Sequence, residues 1–329
     1  MKRNLLFLLI LISSTLLSAQ EVQKQILVEH FTNTYCSVCA SRNPSFYNII
    51  ATYPEVVHIA YHPSSPYAGC PLNQHNIVEN DERANFYQVY GSTPKAVLNG
   101  TVLPAIVSLV NFTQMNAAQA ETTPFQIDIV QFQASSDSMY AQVTLSTVAP
   151  TGLSSANLIV LINEKVLNFN AVNGENVHYD VFRKYLSNAS ISLPTNGNEL
   201  VFTFGTKMDA EWTPSEVTTT VILQESSKHV LQSKQSAKLD FSTGISSIQT
   251  VNDAIYPNPA KNILTINNES QQIRRIELYN IIGSLMSNVD MLDKKQIKLP
   301  ISNFERGSYI LRIYDKDNQV FTQKVVFSD

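Results

Sequence analysis

Two cysteines, Cys36 and Cys39, are separated by Ser37 and Val38 in the stretch "HFTNTYCSVCASRNPSF", residues 30–46. A thiol pair at this spacing supports thiol–disulfide exchange if the first sulfur is accessible and held as a thiolate, with the second as resolving partner. The same pair serves equally as an inert disulfide, or as half of a metal site with Cys70, His62 and His75. The three cysteines fall within 35 residues, and their spacing matches no compact zinc motif. A redox dithiol or structural disulfide is therefore preferred and no metal is assigned. Cys70 can stay free, pair with either partner, or form a second-step disulfide. His30, His58, His178 and His229 read as ordinary surface or strand residues.

The elements around the pair decide its setting. "KQILVEHF" (24–31) reads as a strand, residues 39–53 as a helix and "EVVHIAYH" (55–62) as a second strand. Cys36 then lies at the carboxyl end of a strand of a βαβ unit and at a helix N-terminus, where unpaired N–H groups and the macrodipole favour a thiolate. Cys39 lies one turn in, close enough to close a disulfide. A loop holding Cys70 and a charged helix (77–91, ending at Gly91) follow. "PKAVLNG" (94–100) reads as a strand entering an Asn-Gly turn, with "TVLPAIV" returning beside it. A last helix covers 108–122.

From Pro124 the pattern changes to alternating strands with turn residues between them, an all-β sandwich over 124–240. "VHYDVFRKYL" (177–186) reads as a short helix or an extended loop. Residues 241–252 are rich in Ser and Thr and read as a linker. A further small sandwich covers 253–329. The fold class expected is thus α/β plus all-β.

The two ends and the composition bear on location. Lys2 and Arg3 precede an apolar run of about 13 residues (Leu5–Leu17) and small residues at Ser18 and Ala19. That is a signal peptide over 1–20, too short to span a bilayer. No transmembrane segment is expected in the mature chain. The formal net charge is −4, and the basic runs are short and mixed with acids, so nucleic acid is not an expected partner.

"ILVEHFTNTYCSVC", Pro44 eight residues after Cys36, and Thr93-Pro94 before a strand resemble the thioredoxin fold. The resemblance implies a domain over 21–123, with Cys36 and Cys39 catalytic. Pro94, at the family's cis-proline position, would shape the substrate groove and keep metals off the thiols. It also implies a buried acid assisting Cys39, for which Glu29 is the candidate. Ser37-Val38 and Tyr35 depart from the usual residues. "LVEHFTNTYCSVC", "NVHYDVFRKYLS" and "VTTTVILQESSKHVLQS" together resemble the outer-membrane-protein-28-related family of exported bacterial proteins, over 21–240. "YPNPAKNILTI", "IELYNIIGSLM" and "GSYILRIYD" resemble the Ig-like C-terminal sorting domain read by the type IX secretion system. This implies recognition of 253–329 by that machinery, and a secreted, cell-surface or outer-membrane location in a Gram-negative bacterium.

Two functions remain open from the sequence. One is an exported thiol–disulfide oxidoreductase with protein thiol or disulfide clients and no cofactor. The other is a surface binding or interaction protein in which Cys36–Cys39 is static.

Overall fold

Short apolar runs punctuated by Gly, Pro and Asn fold here into a largely β structure. The computed structural model describes residues 20–135, 138–239, 255–268, 273–280, 285–291, 294–316 and 320–328. The expected signal peptide, apart from Gln20, and the expected linker lie outside them. In chain order the elements begin with β1 (Val22–Gln23), β2 (Leu27–Phe31), α1 (Ser37–Ile50), β3 (Val57–Tyr61), α2 (Pro71–Gln74) and α3 (Ile77–Phe86). They continue with β4 (Lys95–Leu98), β5 (Thr101–Val102), α4 (Phe112–Gln119), β6 (Thr122–Thr123), β7 (Phe125–Ser135) and β8 (Ser138–Thr147). Next come β9 (Ser155–Asn168), β10 (Val177–Ser192), β11 (Glu199–Lys207), β12 (Val217–Gln224) and β13 (Val230–Gln235).

Eight strands form one sheet in the order β13-β12-β9-β10-β3-β2-β4-β5. β2 and β3 are parallel and buried at every residue, as continuous apolar runs in a covered sheet should be. One face of the β2–β3–β4 half packs on α1 and α4 through Val28, Phe46, Ile50, Ala96 and Met115. On the β9–β12–β13 half, the separate sheet β11-β8-β7 packs through Phe125, Val143, Val160 and Val221. The opposite face buries a single cluster beneath α3, uniting Leu27, Phe31 and Tyr61 with Ile159, Phe182 and Ile222.

The boundary expected at 123/124 is therefore crossed by a shared sheet and a shared core. β10 joins β3 in parallel, with Val181 opposite Ala60. The sheet's two ends also meet: the Val230 N–H donates to the Asn99 carbonyl at 3.2 Å, and the Gln25 N–H to Gln232 Oε1 at 2.9 Å. The stretch 177–186, expected as helix or loop, is instead part of the 16-residue strand β10. Pairing to β9 along nearly its whole length overrides the ambiguous local pattern. The third helix ends at Phe86, short of the expected 91, and the chain turns at Gly91 with φ +81°.

The Asn-Gly turn connects β4 and β5 with φ of 47° at Asn99 and 89° at Gly100, as a tight hairpin requires. Gly100 has a second constraint, since a Cβ there would collide with the Lys228 carbonyl. The tail forms two antiparallel sheets. One holds Ile255–Tyr256, Ile263–Asn267 and Gln296–Pro300; the other holds Leu285–Asp290, Ile273–Asn280, Gly307–Asp315 and Val320–Phe327. They enclose their own core, including Leu264, Ile276, Leu311 and Phe327.

Candidate functional site

The chain leaves β2 and enters α1 through a turn organised by Asn33. Its Oδ1 accepts the Tyr35 N–H at 2.9 Å, and its Nδ2 donates to the carbonyls of Pro63 (3.0 Å) and Tyr67 (3.2 Å). This fixes the turn against the loop that follows β3. Cys36 is the N-cap residue of α1, with extended backbone, and its Sγ accepts the Cys39 N–H at 3.0 Å. The sulfur thus takes the capping place usually held by a Ser or Asp oxygen. Cys36 and Cys39 form a disulfide. α1 continues through Pro44. No acidic residue lies in its first turn, so the helix terminus acts on Cys36 without an opposing carboxylate on α1.

Pro94 enters β4 directly beside this turn. The Thr93-Pro94 bond is cis, and the Thr93 carbonyl oxygen lies 3.8 Å from Cys36 Sγ. The structure thus brings together the two cysteines and the Thr93-Pro94 peptide. Cys70 joins them at one remove. It is buried and unbridged, and its sulfur accepts a hydrogen bond from Thr34 Oγ1 at 3.1 Å. Among the described residues, no group of three or more His, Cys, Asp or Glu is arranged to hold a metal ion.

Exposure departs from the expected accessible attacker. Cys36 is 1% exposed, whereas its neighbours Tyr35 and Val38 are 41% and 45% exposed. The pair lies just under the surface with its first sulfur sealed. On one side stands the Thr93 carbonyl. The loop between β9 and β10 lies against the same turn, where Asn173 Nδ2 donates to the Cys36 carbonyl at 3.1 Å.

Glu29 does not assist Cys39. It faces the other side of the sheet, where its carboxylate accepts from Arg83 Nε and the Tyr87 hydroxyl, each at 2.6 Å. The ionisable residue beneath α1 is the next one, His30. Its ring packs 4.6 Å from Phe46 and 5.8 Å from His58, centroid to centroid. Burial lowers its pKa well below the usual histidine range and His58 lowers it further, against a smaller upward influence of the Asn43 side chain. His58 Nδ1 meets Asp180 Oδ2 at 3.0 Å, and Asp180 Oδ1 meets Lys165 Nζ at 2.7 Å. Burial alone would raise the Asp180 pKa, but His58 and Lys165 hold it below the usual carboxylate value.

His30, His58 and His178 are thus buried strand residues rather than surface ones, while His229 lies at the surface beside Glu225. Reading the strand with period two could have identified the His30 face, because Val28 and His30 share it. Asn173-Gly174 carried a turn signal, but nothing local tied that turn to Cys36.

Among the described residues, no helix is long and apolar enough to cross a membrane. No curated protein matches the chain. Among solved structures, HBP35 of Porphyromonas gingivalis aligns with 93% of this chain and 99% of its own, at 14% identity and a TM-score of 0.54, a likeness of fold. A domain of the outer membrane lipoprotein Omp28 from the same organism covers 36% of this chain and 89% of its own, at 10% identity and a TM-score of 0.27. Residues 254–328 match the family described as the secretion system C-terminal sorting domain. This chain therefore carries a tail recognised for secretion, and it is secreted or held at the cell surface or outer membrane.

Proposed function

We propose that the protein is an exported thiol–disulfide exchange protein, in which a thioredoxin-like unit built on β2-α1-β3 and the β4–β5 hairpin carries the Cys36–Cys39 centre. The observation that carries this reading is the placement of Cys36: N-cap of α1, the Cys39 N–H aimed at its sulfur, and the Thr93 carbonyl 3.8 Å away. In the dithiol form the same N–H caps a Cys36 thiolate, and the helix terminus lowers its pKa from about 8.5 toward 7 or below. A client thiolate attacks Cys36 Sγ, the Cys36–Cys39 bond breaks, and Cys39 leaves as a thiolate and takes up a proton. A second client thiolate then displaces Cys36. The client dithiol becomes a disulfide and the protein centre a dithiol, and the reverse sequence reduces a client.

The test uses the full mature chain. Cys39→Ser should accumulate mixed disulfides through Cys36, reduced wild type should alkylate first at Cys36, and the pair should have a reduction potential above about −300 mV. A variant that traps nothing, with a wild-type pair well below that potential, would leave the second reading standing. In that reading the disulfide is a staple and the protein binds a partner at the cell surface. The 1% exposure of Cys36 favours it.

A further inference from the structure

The eight residues between β9 and β10, 169–176, reach across to the cysteine turn. The loop is shaped by its own hydrogen bonds: Phe169 N–H to the Asn176 carbonyl (3.1 Å), Ala171 N–H to Glu175 (2.8 Å) and Gly174 N–H to Ala171 (3.0 Å). Asn173 then binds the turn from outside. Its backbone N–H donates to the Thr34 carbonyl at 3.0 Å, and its Nδ2 lies 3.2 Å from the Asn33 carbonyl oxygen and 3.1 Å from that of Cys36. Glu175 braces the loop, with Oε2 accepting from Asn173 Nδ2 (2.7 Å) and Oε1 accepting from Asn43 Nδ2 on α1 (2.8 Å).

Three carbonyls of the turn carrying the disulfide therefore face one residue of a distant loop, and that of Thr34 takes its backbone N–H. The attachment is polar throughout. The apolar side chain at the tip, Val172, is 72% exposed and anchors nothing. The β9–β10 ladder runs up to the pair Asn168–Val177, so the sheet's pairing ends where the loop begins. Lifting leaves the Asn33 and Cys36 carbonyls with the Cys36 and Ala40 N–H groups at 3.1 and 3.2 Å, whereas the Thr34 carbonyl needs a new donor, and a backbone N–H of an extended polypeptide is equivalent to the one Asn173 supplies.

We propose that the β9–β10 loop is an autoinhibitory strap beside the disulfide: bound through Asn173, it withholds Cys36 Sγ from thiols, and an incoming polypeptide displaces it by taking over the Thr34 carbonyl. The strap rests on the exchange reading for its biological meaning, but its effect on thiol access can be measured independently. Dithiothreitol is a sufficient probe. One of its thiolates attacks Cys36 Sγ and releases Cys39 as thiolate; its second thiolate then displaces Cys36, giving cyclic oxidised dithiothreitol and the protein dithiol.

With the full mature chain, Asn173→Ala should raise the rate of reduction by dithiothreitol about tenfold, equivalent to about 1.4 kcal/mol. The equilibrium with dithiothreitol should move much less, because the strap binds backbone carbonyls present in both redox states. Glu175→Ala should accelerate reduction to a smaller degree. Wild-type rates in both variants would overturn the strap. Hydrogen exchange on the unmutated protein covers the case in which the variants fail to fold. The Asn173 amide should exchange faster than the paired amides of β9 and β10, and equal protection would overturn opening of the strap. The two proposals fail separately: loss of client trapping by Cys39→Ser removes the exchange reading, whereas unchanged reduction rates remove the strap and leave trapping intact.

Discussion

Glu29 and His30 are consecutive residues of one buried strand, yet they belong to two different electrostatic environments. On the α3 face Glu29 is fully matched. Arg83 and Tyr87 donate to its two oxygens, and Gln224 Nε2 donates to Tyr87 Oη at 2.8 Å. On the α1 face His30 sits among Asn43, Phe46, Tyr47 and His58, and burial works against its charged form. The first cluster is a closed charged network that holds helix to sheet. The second is a desolvated histidine group under the helix that carries the disulfide. Alternation along a strand separates them, and the difference teaches that a buried acid near a cysteine pair in sequence need not serve it in space.

The largest effect should come from breaking the matched network. Arg83→Met leaves the Glu29 carboxylate buried without its cation and should cost about 3–5 kcal/mol, read as a lower urea midpoint. The double variant Arg83→Met/Glu29→Gln should recover part of that loss. Full additivity of the two single changes would mean that the contact is not the pairing described.

The histidine face should respond to acid. The pKa values of His30 and His62 are lowered in the folded protein, mainly by burial, and that of His75 is lowered to about 4. The unfolded chain therefore binds more protons than the folded one below the ordinary histidine pKa of about 6.5. Stability is full above that value and falls as pH drops below it, by up to about 1.4 kcal/mol per pH unit for each such histidine. His30→Phe should flatten the decline in midpoint between pH 6.5 and 5 by roughly one proton's worth, and an unchanged slope would show that His30 is not a contributor.

A smaller effect than that of Arg83→Met should come from the disulfide. Closing a loop of so few residues restricts the unfolded chain little, so Cys36→Ser/Cys39→Ser should lose about 2 kcal/mol. A loss as large as that of Arg83→Met would turn the comparison round, making the cysteine corner the structural centre. A related outcome concerns the shared core. We propose that 21–239 unfolds as one unit, so a chain cut between residues 123 and 124 should give no folded half, since the cluster beneath α3 draws on both sides. Two independent calorimetric transitions within 21–239 would instead restore the division expected from sequence.

Much of the local design was legible in the residues. "ILVEHF" ahead of the cysteines reads as strand because its apolar run fits a doubly covered sheet, and Cys36 falls at the helix start because a turn-forming stretch precedes it. Asn99-Gly100 specified its hairpin because only positive φ closes a two-residue turn. The tail's strands were equally readable. These are signals carried by neighbours in the chain. Whether "VHYDVFRKYL" is strand or helix was not carried there, because pairing with β9 decides it. Nor was the join between the expected domains, which depends on β10 lying beside β3.

By itself, then, the amino-acid order determined which segments form turns, strands and helices around Cys36, and that the cysteines stand one helical turn apart. Only the tertiary structure decided what surrounds the sulfurs: Glu29 turned away to Arg83, His30 placed under α1, and Asn173, well over a hundred residues distant, set on the Cys36 carbonyl. The physical reason is that backbone preference acts over a few residues. Burial and hydrogen-bond satisfaction are settled among groups that the chain brings together only when the sheet closes.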